Sequence, residues 1–167
     1  MTCPTWLVAT LLMAVCAVPA HGAPLEATVT RVVDGDTVWL QASALPSNKK
    51  PMPFKLRLQG IDAPESCQAW GAKATAALSA RLLNQPVQVQ TRRKDDYGRS
   101  LGNIRLQGED ISAWMVSQGH AWSYRYRRSA GPYAAQEEAA KRAKRGLFAD
   151  TAAQEPRWFR KAHGPCQ

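Results

Sequence analysis

The sequence predicts an α+β domain: a small closed barrel of the OB type, built from five short β-strands, with three α-helices inserted and appended. Three observations carry this reading. Short runs alternate apolar and polar residues with a period of two and are bounded by Gly, Asp and Pro turns. Alanine-rich stretches with helical spacing fall between and after those runs. The chain has 167 residues, is 45% hydrophobic and shows no internal repeat, so it is long enough for one domain with its own core. Closing the sheet removes the edges that five short strands would otherwise expose.

The elements follow in order. Residues 25–41 hold two β-runs around VVDGDTVWL, where Asp34 and Gly35 supply hairpin chemistry. A second aspartate, Asp36, stands where the next strand should begin, and a turn does not require it. Residues 42–53 are a polar, proline-bearing loop, and 54–61 alternate cleanly as a half-buried strand that ends at Asp62-Ala63-Pro64-Glu65. Residues 68–84 read as a helix. Residues 86–91 and 101–106 form a second hairpin around KDDYGRS. A short helix over 110–118 places Ile111, Trp114 and Met115 on one face and stops at Gly119. A third helix begins near Pro132, carries the i,i+4 pairs Glu137/Lys141 and Glu138/Arg142, and closes at Gly146. The tail from Phe148 onward reads as irregular.

Residues 1–22 are a different material. The apolar run 6–18 is too short to span a bilayer and is followed by small residues, the pattern of a secretory signal cleaved after Ala20 or Gly22. No Lys or Arg precedes the run, which departs from the usual pattern. The mature domain is then 23–167, secreted or periplasmic, with no stable membrane association, and is expected to act as a monomer. Cys3 and Cys16 leave with the leader, so Cys67 and Cys166 remain as candidates for a disulfide in an oxidising compartment. Zinc is disfavoured, because no C-x-x-C occurs and the three histidines are scattered.

The formal net charge is +9, and +6 of it falls from Ala121 onward. That balance points to a polyanionic partner or to a solvated basic surface. Asp34/Asp36, Asp62 and Glu65 lie at predicted strand ends. If those ends converge they offer hard oxygen ligands without nitrogen or sulfur, which suits Ca²⁺ or Mg²⁺. Unpaired, the carboxylates would repel one another, so a cation or arginines should sit nearby. Arg57 and Arg99 are the candidates, as guanidinium forks that grip phosphate. Arg57 lies five residues before Asp62, an odd spacing that puts the two on opposite strand faces unless a bend intervenes. Taken singly, each feature has a plain structural explanation as turn, helix start or hairpin tip. Together and in order they point to chemistry.

D-G-D-T, R-x-x-x-x-D-A-P-E and D-x-Y-G-R, in this order over about 29–147, resemble the staphylococcal nuclease (thermonuclease) family. The resemblance implies a five-stranded OB-type barrel with three helices. It also implies Ca²⁺-dependent hydrolysis of DNA and RNA phosphodiesters, leaving 3′-phosphates. By position, Asp36 and Asp62 would be calcium ligands, with the backbone carbonyl of Ala63 as a third. Glu65 would orient or deprotonate the attacking water, and Arg57 and Arg99 would grip the scissile phosphate. Tyr97 and Tyr126 would lie along the substrate, which is expected to be single-stranded or frayed. Two departures are visible. Ala63 replaces a frequent threonine, and Asp96 stands where a lysine often holds a terminal phosphate. Trp122 and Tyr124 are read as core residues. The alternative reading is a noncatalytic OB-fold protein that binds nucleic acid or another anionic ligand. A protein that binds anionic lipid or polysaccharide would explain the charge but not the acidic cluster.

Overall fold

The computed structural model describes residues 24–43, 52–95, 98–164 and 166. The leader predicted at 1–22 lies outside them, as do Asp96 and Tyr97. Among the described residues eight strands are formed: β1 (Leu25–Asp34), β2 (Thr37–Ala42), β3 (Phe54–Leu58), β4 (Ile61–Asp62), β5 (Pro86–Lys94), β6 (Ser100–Leu106), β7 (Glu109–Asp110) and β8 (Trp122–Ser123). The helices are α1 (Gly71–Leu82), α2 (Ile111–Ser117), α3 (Ala134–Arg142) and α4 (Pro156–His163), with a 3₁₀ turn at Gly146–Ala149. Five strands make the barrel in the order β3-β2-β1-β5-β6, and parallel pairing of β3 with β6 closes it. The predicted α+β barrel is therefore the observed architecture.

The period-two alternation does what it predicts. Ala27 and Val29 on β1, Val38 and Leu40 on β2, and Leu56 and Leu58 on β3 all point inward and are buried. Val87 and Val89 on β5 and Ile104 and Leu106 on β6 complete the lining. One end of this core is covered by α1, which buries Ala74, Leu78 and Leu82 at four-residue spacing. Each fully buried leucine of this kind contributes about 1.5–3 kcal/mol through removal of apolar surface from water. α2 is capped by the Asp110 carboxylate, which accepts the Ala113 N–H at 3.2 Å, and it buries Ile111, Met115 and Val116.

Two differences from the sequence reading, at the start of α1 and in the tail, have physical causes. α1 starts at Gly71 rather than at 68, because Trp70 adopts a left-handed backbone (φ 71°) and the preceding residues turn back on themselves. The expected Glu137/Lys141 pair forms, with Glu137 a buried hub. It is 1% exposed, accepts the Ser123 N–H at 2.8 Å and pairs with both Arg125 and Lys141. The tail is not irregular throughout, since 156–163 form α4, with Pro156 in its first turn. No helix long and apolar enough to cross a membrane occurs among the described residues.

What docks α4 is covalent. Cys67 and Cys166 are joined by a disulfide with Cα atoms 5.7 Å apart, closing 99 residues of chain separation. The Gln68 side chain adds a 2.6 Å bond to the Gln154 carbonyl. A loop of this length is worth about 4.7 kcal/mol on the chain-entropy account. Reduction, or C166S, is therefore expected to lower the melting temperature markedly. Mass spectrometry of the unreduced chain should show the 67–166 linkage, and free thiols would refute it.

A second prediction concerns His120. It packs between Trp70 and Trp114, and its Nδ1 accepts the Trp70 indole N–H at 3.3 Å. Burial holds its pKa below the ordinary 6.5. As pH falls through that range the unfolded chain takes up a proton that the folded chain refuses, so stability drops on acidification below about 6.5. Urea unfolding at stepped pH should show this slope, reduced in H120Q.

Candidate active site

The site begins at the β1–β2 turn. Asp34 ends β1 and pairs with Thr37, so the two turn residues are Gly35 and Asp36. The sequence reading, which put Asp34 and Gly35 in the turn and Asp36 on the strand, is off by one residue. Gly35 is required for space: a Cβ there would lie 2.7 Å from the Ala63 Cβ and 3.0 Å from that of Ala74. The Asp34 carboxylate accepts the Asp36 N–H at 2.9 Å, a local bond that fixes the turn. Asp36 is thereby pushed inward and is 2% exposed.

Its carboxylate is well supplied with donors. Oδ1 accepts the Thr37 hydroxyl at 2.9 Å and Arg57 Nη1 at 2.8 Å, and Oδ2 accepts the Ala63 N–H at 3.3 Å. Burial nevertheless pushes the Asp36 pKa up to about 7. Arg57 pulls it down, while Asp34 and Asp62 push it further up.

Arg57 sits opposite Thr37 in the β2–β3 register, which delivers its guanidinium to Asp36. Its other nitrogen reaches Asp62 Oδ1 at 2.9 Å. The bend that the odd spacing demanded is the turn at Gln59–Gly60, where Gly60 has φ 81° and a Cβ would strike Pro132 and Tyr133. β4 then runs beside β8 and buries Asp62, 5% exposed, against the same guanidinium. Burial disfavours the Arg57 charge, but Asp36 and Asp62 more than offset it and hold the group firmly protonated.

Glu65 lies in the loop that follows. Its N–H donates to Gln68 Oε1 at 3.1 Å and its carbonyl accepts the Gln68 N–H at 2.9 Å. A Cβ on Gly71 would come within 1.9 Å of that carbonyl, so only glycine lets α1 start so close to the Glu65 loop. The Glu65 carboxylate meets Arg160 of α4, whose Nη1 donates to Oε1 at 2.6 Å. Arg160 also reaches Asp62 Oδ1 at 3.3 Å and Oδ2 at 3.1 Å. Gln68, Gly71 and Arg160 were all missed by reasoning from sequence. A signal existed only for Arg160: pairing Cys67 with Cys166 necessarily brings the basic segment before Cys166 next to Glu65.

These groups open onto one cleft of about 1500 Å³, lined by Asp36, Arg57, Glu65, Arg99 and Arg160 among others. Arg99 is held by Asp95, which accepts its Nε at 2.7 Å and its backbone N–H at 2.9 Å. Lys55, Arg92, Arg93 and Lys94 line the same cleft. Tyr124 and Tyr126 lie on it too, 46% and 63% exposed, so Tyr124 is not the core residue expected, whereas Trp122 is buried. The reason is Arg125 between them. It pairs with buried Glu137 and with Glu155 at 3.2 Å, which pins the segment and turns both neighbouring rings outward. Tyr97 and Asp96 lie outside the described residues.

Residues 55–150 match the family profile described as staphylococcal nuclease homologue. The chain belongs to the staphylococcal nuclease family. Among its relatives are "Protein ParB" of Escherichia coli, 36% identical over 93% of this chain and 90% of the relative. "Micrococcal nuclease" of Shigella flexneri is 36% identical over 93% and 91%. An "Uncharacterized endonuclease" of Haemophilus influenzae is 35% identical over 80% and 71%.

The donors of this nuclease-family site suit a hard cation, being carboxylate and peptide oxygens alone. They do not make a closed cage: no group of three or more His, Cys, Asp or Glu placed to hold a metal occurs among the described residues. Arg57 is what permits Asp36 and Asp62 to share one pocket. R57L is expected to cost about 3 kcal/mol in urea unfolding at neutral pH, with R57K losing less, because it leaves buried carboxylates without their shared cation.

Proposed function

We propose that this protein is an exported, Ca²⁺-dependent nuclease that hydrolyses phosphodiester bonds of both DNA and RNA and leaves 3′-phosphates. The observation that carries the reading is the convergence of Asp36, Asp62, Glu65 and Arg57, from four separate chain positions, beside one basic cleft that Arg99 also lines. Family membership and the names of the relatives support the reaction class. A module that only bound nucleic acid would have no use for buried carboxylates facing the polyanion's path.

On this reading Asp36, Asp62 and the Ala63 carbonyl hold the calcium ion. When bound, the ion supplies Lewis-acid polarisation of a phosphate oxygen and offsets the repulsion between substrate and carboxylates. Glu65 takes or orients the proton of a water whose oxygen attacks phosphorus. The bond from phosphorus to the 5′-oxygen breaks, that oxygen takes a proton from solvent as it leaves, and the phosphate remains on the 3′ side. Arg57 and Arg99 balance the charge that builds on the phosphoryl oxygens, bonds that strengthen as the transition state forms. Tyr126, exposed on the cleft, presents a face on which unpaired bases stack, and Tyr97 is the second stacking residue on this reading, which favours single-stranded or frayed substrate. The leader expected at 1–22 and the disulfide favour export to a periplasm or the exterior, and the protein is read as a monomer.

Digestion of denatured DNA and of RNA with calcium, with chelator and with single variants tests this. Chelation should abolish cleavage, and E65Q and R99A should each lower kcat by about 10²–10⁴-fold. Cleavage that survives chelation, or full activity in R99A, would overturn the mechanism.

A further inference from the structure

Arg160 stands 95 residues from Glu65 and 98 from Asp62, yet its guanidinium bonds both. Nη1 serves Glu65 Oε1 and Asp62 Oδ1, and Nη2 serves Asp62 Oδ2. With Arg57 on Oδ1 as well, both oxygens of Asp62 are engaged by guanidinium groups. Burial works against the charge of Arg160, but its bonds to Asp62 and Glu65 dominate and raise its pKa. The placement is built rather than incidental. The disulfide anchors the chain just past α4 to a residue two positions from Glu65, and Gln68 ties the chain just before α4 to the same loop. Between these two ties, Arg160 has little choice but to face the acidic cluster.

A divalent ion entering between Asp36 and Asp62 would meet this guanidinium. The two cations repel at short range, and they draw on the same carboxylate oxygens. Arg57 differs, since it sits on β3 in the barrel wall and contacts Asp36 and Asp62 together. Arg160 is on a surface helix, its side chain is 36% exposed, and it can swing out while the helix stays tied down.

We propose that Arg160 is a built-in counter-ion that competes with calcium for Asp62, while its bond to Glu65 holds it over the site, and so sets the site's calcium affinity. The inference rests on the reading of Asp36 and Asp62 as calcium ligands. Its consequence is a site that stays neutralised, and keeps Glu65 occupied, until calcium is plentiful.

Calorimetric titration of the mature chain with calcium alone, without nucleic acid, tests it directly. R160Q should bind calcium about tenfold more tightly than wild type, the effect of removing one adjacent positive charge. The calcium-induced rise in melting temperature should grow in parallel, which a merely structural role for Arg160 would not produce. R160K, which keeps the charge but gives up the two-pronged grip, should fall between the two and carries the test if R160Q does not fold. Calcium affinity in R160Q equal to or weaker than wild type, with wild type binding normally, overturns this inference and leaves the nuclease reading standing. If neither chain takes up calcium, the calcium reading of the site falls, and this inference with it.

Discussion

The interaction on which the rest depends is one guanidinium shared by two buried carboxylates. Arg57 bonds Asp36 at 2.8 Å and Asp62 at 2.9 Å, and each aspartate side chain is under 10% exposed. Two buried carboxylates this close would otherwise carry a large desolvation and repulsion cost. The constraint reaches outward through the backbone. Register between β2 and β3 sets Arg57 beside Asp36, the Gly60 turn brings Asp62 round to meet it, and β4 is held by β8. Barrel closure and site assembly are thus the same event, because β3 is both the strand that bears Arg57 and the strand that pairs with β6.

A second ring of interactions secures what the barrel does not. Glu65 lies on a loop, and loops need external fixing. Here that fixing comes from Gln68, from the absence of a side chain at Gly71, and from α4 on its disulfide. The Tyr124–Tyr126 segment is treated likewise: Arg125 reaches buried Glu137, and the flanking rings are left facing the cleft. Both devices use buried or covalent ties rather than exposed ion pairs, which contribute little on their own.

The barrel was legible from alternation alone, since residues such as Val38, Leu40, Leu56 and Leu58 advertise an inward face by spacing. Asp36 was legible as an excess over what a turn needs, although its exact place in the turn depended on how closely Gly35 packs against Ala63 and Ala74. The parity problem between Arg57 and Asp62 could be posed from sequence but not solved. Its solution lies in one left-handed glycine. Tyr124 was misplaced because a strand-like alternation cannot show that Arg125, between two tyrosines, is the residue that turns inward to a buried partner. α4 was missed because eight residues are too few for spacing alone to establish a helix, and its attachment through the 67–166 disulfide cannot be read from spacing.

Charge decides between a catalyst and a passive binder at this site. Asp36, Asp62 and Glu65 bring three carboxyl groups and Arg57 and Arg160 two guanidinium groups, and burial pushes the Asp36 pKa up to about 7, so the cluster sits close to neutral. Buried carboxyl groups beside a cleft lined with Lys55, Arg92, Arg93 and Lys94 are the opposite of what phosphate binding alone would select. Arginines alone would bind a phosphate, but a guanidinium cannot accept a proton from water, whereas a carboxylate can. The carboxyl groups are therefore the feature that a nuclease uses and a binding module would have no reason to keep buried.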